Sequence, residues 1–138
     1  MSVTLLIVDD EPEICEALSR HFTLLGYQTF TANDGHEALK AFTNRKIDVV
    51  LSDIAMPGMD GTELCRSVRK DFPMTRIVMM TGHVTLENAL ACLRRGADDC
   101  LFKPFVDFKE LEEAVQRSVR ILQRWARVLA HLAEKKNS

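Results

Sequence analysis

The sequence lacks the features that mark membrane and exported proteins. No apolar run in its 138 residues approaches the length of a membrane span. The first eight residues are largely apolar, but they include no basic region and no cleavage site, and acidic residues follow at once. We therefore predict no signal peptide and expect a protein of the reducing cytoplasm with no membrane partner.

Cysteine-based metal and redox motifs are also missing. The four cysteines include no pair with C-x-x-C spacing, which argues against a zinc site or a thioredoxin-type centre. Scattered cysteines in a chain that is 46% hydrophobic are more often small buried side chains than ligands or disulfides. We predict that buried role for Cys15, Cys65, Cys92 and Cys100.

The whole chain has little excess charge, a net −2 from 18 basic and 20 acidic residues. This disfavours a globally basic nucleic-acid binder. The charge is nevertheless uneven. Residues 117–138 hold six basic residues against Glu134 alone, a net +5, which leaves −7 for residues 1–116.

The length of the chain suits one ordinary domain with a hydrophobic core rather than two catalytic domains.

Five short strand-like segments, of which the first, third and fourth are mostly apolar, alternate with amphipathic helical segments. Continuous apolar runs indicate strands that are covered on both faces, and the strand starts lie roughly twenty residues apart. We therefore predict a doubly wound α/β fold with a parallel sheet, including helices over 62–70 and 85–95 and a long last helix capped by Asp107. The predicted strands are Thr4–Val8, Gln28–Ala32, Val49–Asp53, Arg76–Thr81 and Asp99–Phe102.

Acidic residues follow two strands that should be neighbours in such a sheet. Asp9 and Asp10 come directly after the first strand, and Asp53 ends the third. The carboxyl ends of parallel strands lie at one edge of the sheet, so the three carboxylates should converge. Oxygen ligands in small number suit Mg²⁺, which also relieves the repulsion between the carboxylates.

A hydroxyl and an ammonium complete the same predicted edge. Thr81 ends the fourth strand, and Lys103 follows the fifth, just before Pro104. Each residue alone is ordinary at the end of a strand. Together with the carboxylates they form a set suited to placing a phosphoryl group on a carboxylate, where positioning and charge neutralisation do most of the work.

Four motifs carry a resemblance to a known family. They are LLIVDDEP at 5–12, DIAMPGMDG at 53–61, MMTG at 79–82 and GADDCLFKPF at 96–105. In this order and at strand ends, they closely resemble the receiver domain of two-component response regulators over about residues 4–122. The resemblance implies a flavodoxin-like five-stranded sheet in the order 2-1-3-4-5.

The resemblance also implies a chemistry for the site. Asp53 would accept a phosphoryl group from a sensor histidine kinase or a phosphotransfer protein. Asp9, Asp10, Asp53 and the backbone carbonyl of Ala55 would hold Mg²⁺. Such a domain is a signalling switch that catalyses only its own phosphotransfer and autodephosphorylation, and is not otherwise an enzyme.

Lys103 and Thr81 have implied roles as well. Lys103 would bind a phosphoryl oxygen, and its bond to Pro104 is expected to be cis. Thr81 would turn to hydrogen-bond the phosphoryl group and carry the signal to the surface formed by the fourth helix, the fifth strand and the fifth helix.

The sequence departs from the family pattern at positions that bear on signalling. Cys100 stands where the family usually has an aromatic switch residue, and strand alternation leads us to expect that Phe102 does not simply replace it. Ala55 and His83 would flank the phosphoryl group. The Ala55 side chain cannot orient a water molecule, so we hypothesise slow self-dephosphorylation. His83 either contacts the phosphoryl group or is a solvated loop residue.

The last helix is longer than the family core requires. We predict a receiver domain over 1–122 and a helical extension over 123–138. Apolar positions at alternating spacings of four and three run to Leu132 and should leave Trp125, Leu129 and Leu132 exposed. We expect a homodimer interface or a helical connector, with a frayed surplus helix as the alternative. Direct nucleic-acid binding by this chain is not expected.

Rival functions remain open on the same fold. A phosphorylation-independent docking or dimerisation module would keep the sheet without the chemistry. A metal-dependent phosphatase of the haloacid dehalogenase type would need Asp-x-Asp after the first strand, whereas Asp9 and Asp10 are adjacent. The acidic loop disfavours a flavin phosphate site, and the missing G-x-x-x-x-G-K-[ST] motif excludes P-loop chemistry.

Overall fold

A computed structural model describes residues 2–82 and 85–137. Its five strands form one parallel sheet in the order 2-1-3-4-5, numbered along the chain, as predicted. The strands also have the predicted bounds. For the first, third and fourth strands the reason is that mostly apolar runs ending in polar residues define buried strands well. The five strands are β1 Thr4–Val8, β2 Gln28–Ala32, β3 Val49–Asp53, β4 Arg76–Thr81 and β5 Asp99–Phe102.

Helices follow each strand along the chain. They are α1 Pro12–Leu24, α2 Gly35–Asn44, α3 Gly61–Asp71, α4 Leu86–Arg95 and α5 Lys109–Asn137. The predicted helix starts differ from the observed ones by one or two residues. The reason is that hydrogen bonds to capping side chains determine where these helices begin. Thr85 caps α4 by accepting from the Asn88 amide, and Asp107 accepts from the Lys109 amide at the start of α5.

The sheet separates two apolar layers, which is why its central strands are buried on both faces. Residues 5–8 of β1 are fully buried and alternate between the layers. One layer contains side chains of α2, α3 and α4, and the other contains side chains of α1 and α5. This arrangement confirms the doubly wound α/β prediction.

The cysteines have the predicted structural character. Cys15, Cys65 and Cys92 are buried, Cys100 is partly buried, and all four are free thiols. Burial raises the pKa of the Cys15 and Cys65 thiols to about 11, so both are neutral small side chains at physiological pH. Among the described helices, none is both long enough and apolar enough to cross a membrane.

The long α5 helix changes environment along its length. Leu111, Val115, Ser118 and Leu122 are buried against the domain. Beyond them, Trp125, Leu129 and Leu132 are each about half exposed, at 50%, 47% and 55%. The expectation that the apolar side chains after Leu122 remain exposed in this chain is confirmed.

Candidate functional site

Three carboxylates meet at the carboxyl edge of the sheet. Asp9 follows β1 and Asp53 ends β3, and the register that pairs Val8 with Ser52 places the two carboxylates side by side. One carboxylate oxygen each from Asp9, Asp10 and Asp53 lie within 4.8 Å of one another. Asp9 is fully buried and Asp53 nearly so, while Asp10 is exposed, so the cluster has one open side.

Lys103 enters this cluster from the other end of the chain. Its Nζ lies 2.8 Å from Oδ2 of Asp9 and 3.4 Å from Oδ2 of Asp53. The Lys103–Pro104 peptide bond is cis, as the resemblance implied. One ammonium group is therefore shared between two buried carboxylates.

The electrostatics of the site are dominated by burial and by these close charges. Burial, together with the charge of Asp9, raises the pKa of Asp53, although Lys103 opposes the shift. Burial works against the charged form of Lys103, but the hydrogen bond to Asp9 and the charges of both carboxylates outweigh it and raise its pKa. Lys103 therefore stays protonated, while the ionised form of Asp53 is disfavoured.

Backbone hydrogen bonds hold the acidic residues in place. The amide of Asp9 donates to the carbonyl of Ala32, and Oδ1 of Asp9 accepts from the amide of Glu11. After Asp53, the amide of Ile54 donates to the carbonyl of Met80. Strand neighbours thus fix both loops, which keeps the carboxylates aimed at one point.

Thr81 lies at the same edge. The register pairs Asp53 with Met80, so Thr81 is one residue further along the neighbouring strand. Its side chain is buried, and its carbonyl accepts from the amide of Lys103 at 2.8 Å. The backbone therefore couples the threonine directly to the lysine.

Ala55 and His83 are the two positions expected to flank the phosphoryl group. Ala55 is exposed two residues after Asp53, where its methyl group offers no hydrogen bond to the site. The proposed role of its backbone carbonyl as a ligand stays a prediction. His83 lies outside the described residues.

Gly61 is a positioning residue that the sequence analysis did not single out. It begins α3, and its amide donates to the carbonyl of Ile54 at 2.7 Å. A Cβ atom at this position would lie 2.2 Å from the backbone oxygen of Asp53. The start of α3 can therefore approach the end of β3 only because residue 61 is glycine. The Asp60-Gly61 pair indicates a turn, but sequence alone does not show this contact.

Phe102 does not replace Cys100, but strand alternation is the wrong reason for expecting this. Cys100 and Phe102 are two residues apart on β5, so their side chains share one face of the sheet. Cys100 packs against the apolar layer on that face, and Phe102 is 44% exposed near the end of the strand. The two positions differ in depth, and Phe102 does not occupy the inner one.

Comparison with known proteins identifies the family. Residues 5–116 match the family model described as the response regulator receiver domain. The chain belongs to this family. Receiver domains of two-component response regulators are signalling modules, so the acidic edge lies in a domain that relays a signal.

A curated relative is similar over nearly all of the chain. It is the regulatory protein AtoC of Escherichia coli (strain K12), which is 41% identical over 128 residues, 93% of this chain but 27% of AtoC. The chain spans between about a quarter and a half of the length of the curated relatives it matches.

Solved structures share the fold over most of their length. A CheY-like receiver domain protein from Methanospirillum hungatei has a TM-score of 0.85 and 31% identity, and covers 90% of this chain and 98% of its own. The response regulator TrrA of Thermotoga maritima, solved in complex with Mg²⁺ and BeF, has a TM-score of 0.76 and 36% identity, with coverages of 84% and 98%. Both likenesses extend well beyond the sheet.

Proposed function

We propose that this receiver domain is a phosphorylation-dependent switch in which Asp53 accepts a phosphoryl group from a histidine kinase or a phosphotransfer protein. The observation that carries the proposal is the shared ammonium of Lys103, which lies within 3.4 Å of the carboxylates of both Asp53 and Asp9. A buried carboxylate beside a fixed cation is suited to receive an anionic phosphoryl group.

In the proposed reaction, an oxygen of Asp53 attacks the phosphorus of a phosphohistidine. The P–O bond of an acyl phosphate forms, the P–N bond breaks, and the imidazole of the donor leaves. Lys103 would move its hydrogen bonds from the carboxylates to a phosphoryl oxygen and neutralise charge there. The donor set is oxygen-only and anionic, which fits Mg²⁺.

Asp9, Asp10, Asp53 and the backbone carbonyl of Ala55 would hold that ion. When bound, Mg²⁺ would offset the negative charge of the carboxylates and of the phosphoryl group. Thr81, whose carbonyl is bonded to the amide of Lys103, would contact the phosphoryl group and alter the surface formed by α4, β5 and α5.

The test is phosphorylation by a small-molecule phosphodonor, with and without Mg²⁺. We expect metal-dependent labelling of the wild type and no labelling of Asp53→Asn. Asp71→Asn, which removes an exposed carboxylate at the end of α3, is the matched control and should label normally. Labelling that persists in Asp53→Asn would refute the assignment of the acceptor.

A second candidate is a docking module that works without phosphorylation. The presence of Cys100 at the family's aromatic switch position favours it, because the usual side-chain response to Thr81 would be missing. Absence of labelling under every donor and metal condition, with Asp71→Asn equally inert, would support this candidate over the switch.

A further inference from the structure

The second half of α5 carries an apolar stripe that the domain does not cover. Five large side chains on this part of the helix are between 37% and 55% exposed. Contiguous apolar surface of this kind usually marks an interface. The five residues are Ile121, Trp125, Val128, Leu129 and Leu132.

This stripe is wider than the seam of a simple coiled coil. If Leu122 and Leu129 occupy heptad positions a, then Trp125 and Leu132 occupy positions d. The flanking positions, which are usually charged in two-stranded coiled coils, are here apolar as far as Ala133. They are Val119, Ala126 and Ala133 on one side and Ile121 and Val128 on the other. A stripe of this width needs neighbours on two sides.

One neighbour is the domain itself, which forms a groove beside α5. Trp125 and Leu129 form one wall, and Pro73 and Met74 of the turn between α3 and β4 form the other. The groove has a volume of about 540 Å³ and lies at the end of the sheet opposite the acidic site. An apolar helix lying there would contact the extension and the domain together.

The charged rim of this groove is already neutralised. Asp98 forms ion pairs with Arg69 at 3.0 Å and with Arg76 at 3.1 Å. Arg69 and Arg76 also donate to the backbone carbonyl of Pro73. An incoming apolar helix therefore meets a rim whose charges are paired within the domain, so no acidic or basic partner is called for.

Four basic side chains along the apolar stripe lie away from it, whereas Lys135 and Lys136 follow its last leucine at positions g and a. In the same heptad frame, Arg124 and His131 occupy positions c, and Arg120 and Arg127 occupy positions f. These positions are on the outer side of a packed helix. Two copies of α5 can therefore approach through their apolar stripes without bringing these side chains into the interface.

We propose that the groove between α5 and the α3–β4 turn is filled by the α5 extension of a second copy of this chain. The stripe complements itself, as a two-fold symmetric dimer requires. Half-exposed side chains of these sizes present on the order of 500 Å² per copy. Two copies would then bury about 1,000 Å², the lower bound for a specific interface. The inference does not rest on the proposed phosphorylation.

The test is sedimentation equilibrium of the full chain up to about 100 µM, above the micromolar dissociation constants at the weak end of standard-size interfaces. We expect the wild type to dimerise. Trp125→Glu on the helix and Met74→Glu on the domain should each raise the dissociation constant at least tenfold. Leu24→Glu removes a leucine that is 84% exposed on α1, and Arg127→Glu changes a charge on the outer side of α5. Neither substitution should weaken the dimer.

Circular dichroism of each variant establishes that it remains folded. A wild type that stays monomeric, both alone and with Mg²⁺ and beryllofluoride, would overturn the proposal. If Met74→Glu leaves the dimer unaffected, the groove is not the binding site of the second copy. The same conclusion follows if Leu24→Glu weakens the dimer as much as Met74→Glu does. The same measurement on Asp53→Asn, which should still dimerise, separates this inference from the assignment of the phosphoacceptor.

Discussion

Asp53 has one cation and two other carboxylates as its closest charged neighbours. The ammonium group of Lys103 lies nearer to Asp9 than to Asp53, so its shorter contact is not with the proposed phosphoacceptor. Three carboxylates exceed the charge of one ammonium, and the site keeps a negative charge that suits a divalent cation. In the proposed reaction Lys103 would bind an incoming phosphoryl oxygen, and a bound divalent cation would supply the positive charge that the carboxylates then lack.

At residue 55, the side chain should set the lifetime of the proposed acyl phosphate. The methyl group of Ala55 cannot hydrogen-bond a hydrolytic water molecule, whereas an amide at this exposed position could orient one. We predict that Ala55→Asn releases phosphate roughly tenfold faster than the wild type. Phosphate release from the phosphorylated proteins, followed after removal of the donor, measures this.

Ala55→Val is the matched control because it adds volume without a polar group. It should release phosphate no faster than the wild type. If the wild type is already much faster than Ala55→Asn, the hypothesis of slow self-dephosphorylation is wrong.

Among the secondary-structure elements, α3 depends on a single close contact with β3. In Gly61→Ala the new Cβ would lie 2.2 Å from the carbonyl oxygen of Asp53 and 2.8 Å from the Cα of Ile54. Both neighbours are backbone atoms, so the start of α3 must move away. We predict a loss of about 2–3 kcal/mol in the free energy of unfolding, measured by urea denaturation.

The control for this change is Gly82→Ala, where a Cβ would meet no atom within 4 Å. It should change stability by less than about 0.5 kcal/mol. Because the contact in Gly61→Ala displaces Asp53, phosphorylation by a small donor should also slow. Unchanged stability and labelling in Gly61→Ala would show that α3 adjusts without disturbing the site.

How far the sequence predicts these elements depends on the range of the interaction. The strand bounds follow from local patterns, since an apolar run that ends at Asp9 or Asp53 defines its own limits. The contact of Gly61 with the backbone after β3, and the groove between Met74 and Trp125, arise when separate segments pack together. Hydrophobic periodicity does not encode such distances, so only the structure reveals them.

For the molecule as a whole, the acidic residues 1–116 contain the carboxylate cluster of Asp9, Asp10 and Asp53. This cluster lowers the stability of the folded protein when no metal is bound. Burial and the charge of Asp9 raise the pKa of Asp53, so its ionised form is disfavoured in the folded state. We predict that Asp53→Asn raises the free energy of unfolding of the metal-free protein by roughly 1–2 kcal/mol at pH 7. Urea unfolding in a chelating buffer measures this.

The pH dependence of this effect has a defined sign. A carboxyl group whose pKa is raised on folding destabilises the fold above that pKa, and the penalty fades as the pH falls towards the ordinary value of 3.8. The advantage of Asp53→Asn should therefore shrink on acidification. Mg²⁺ should stabilise the wild type more than the variant, because one proposed ligand is lost. Asp71→Asn should show neither effect, and an advantage that grows on acidification would contradict this account.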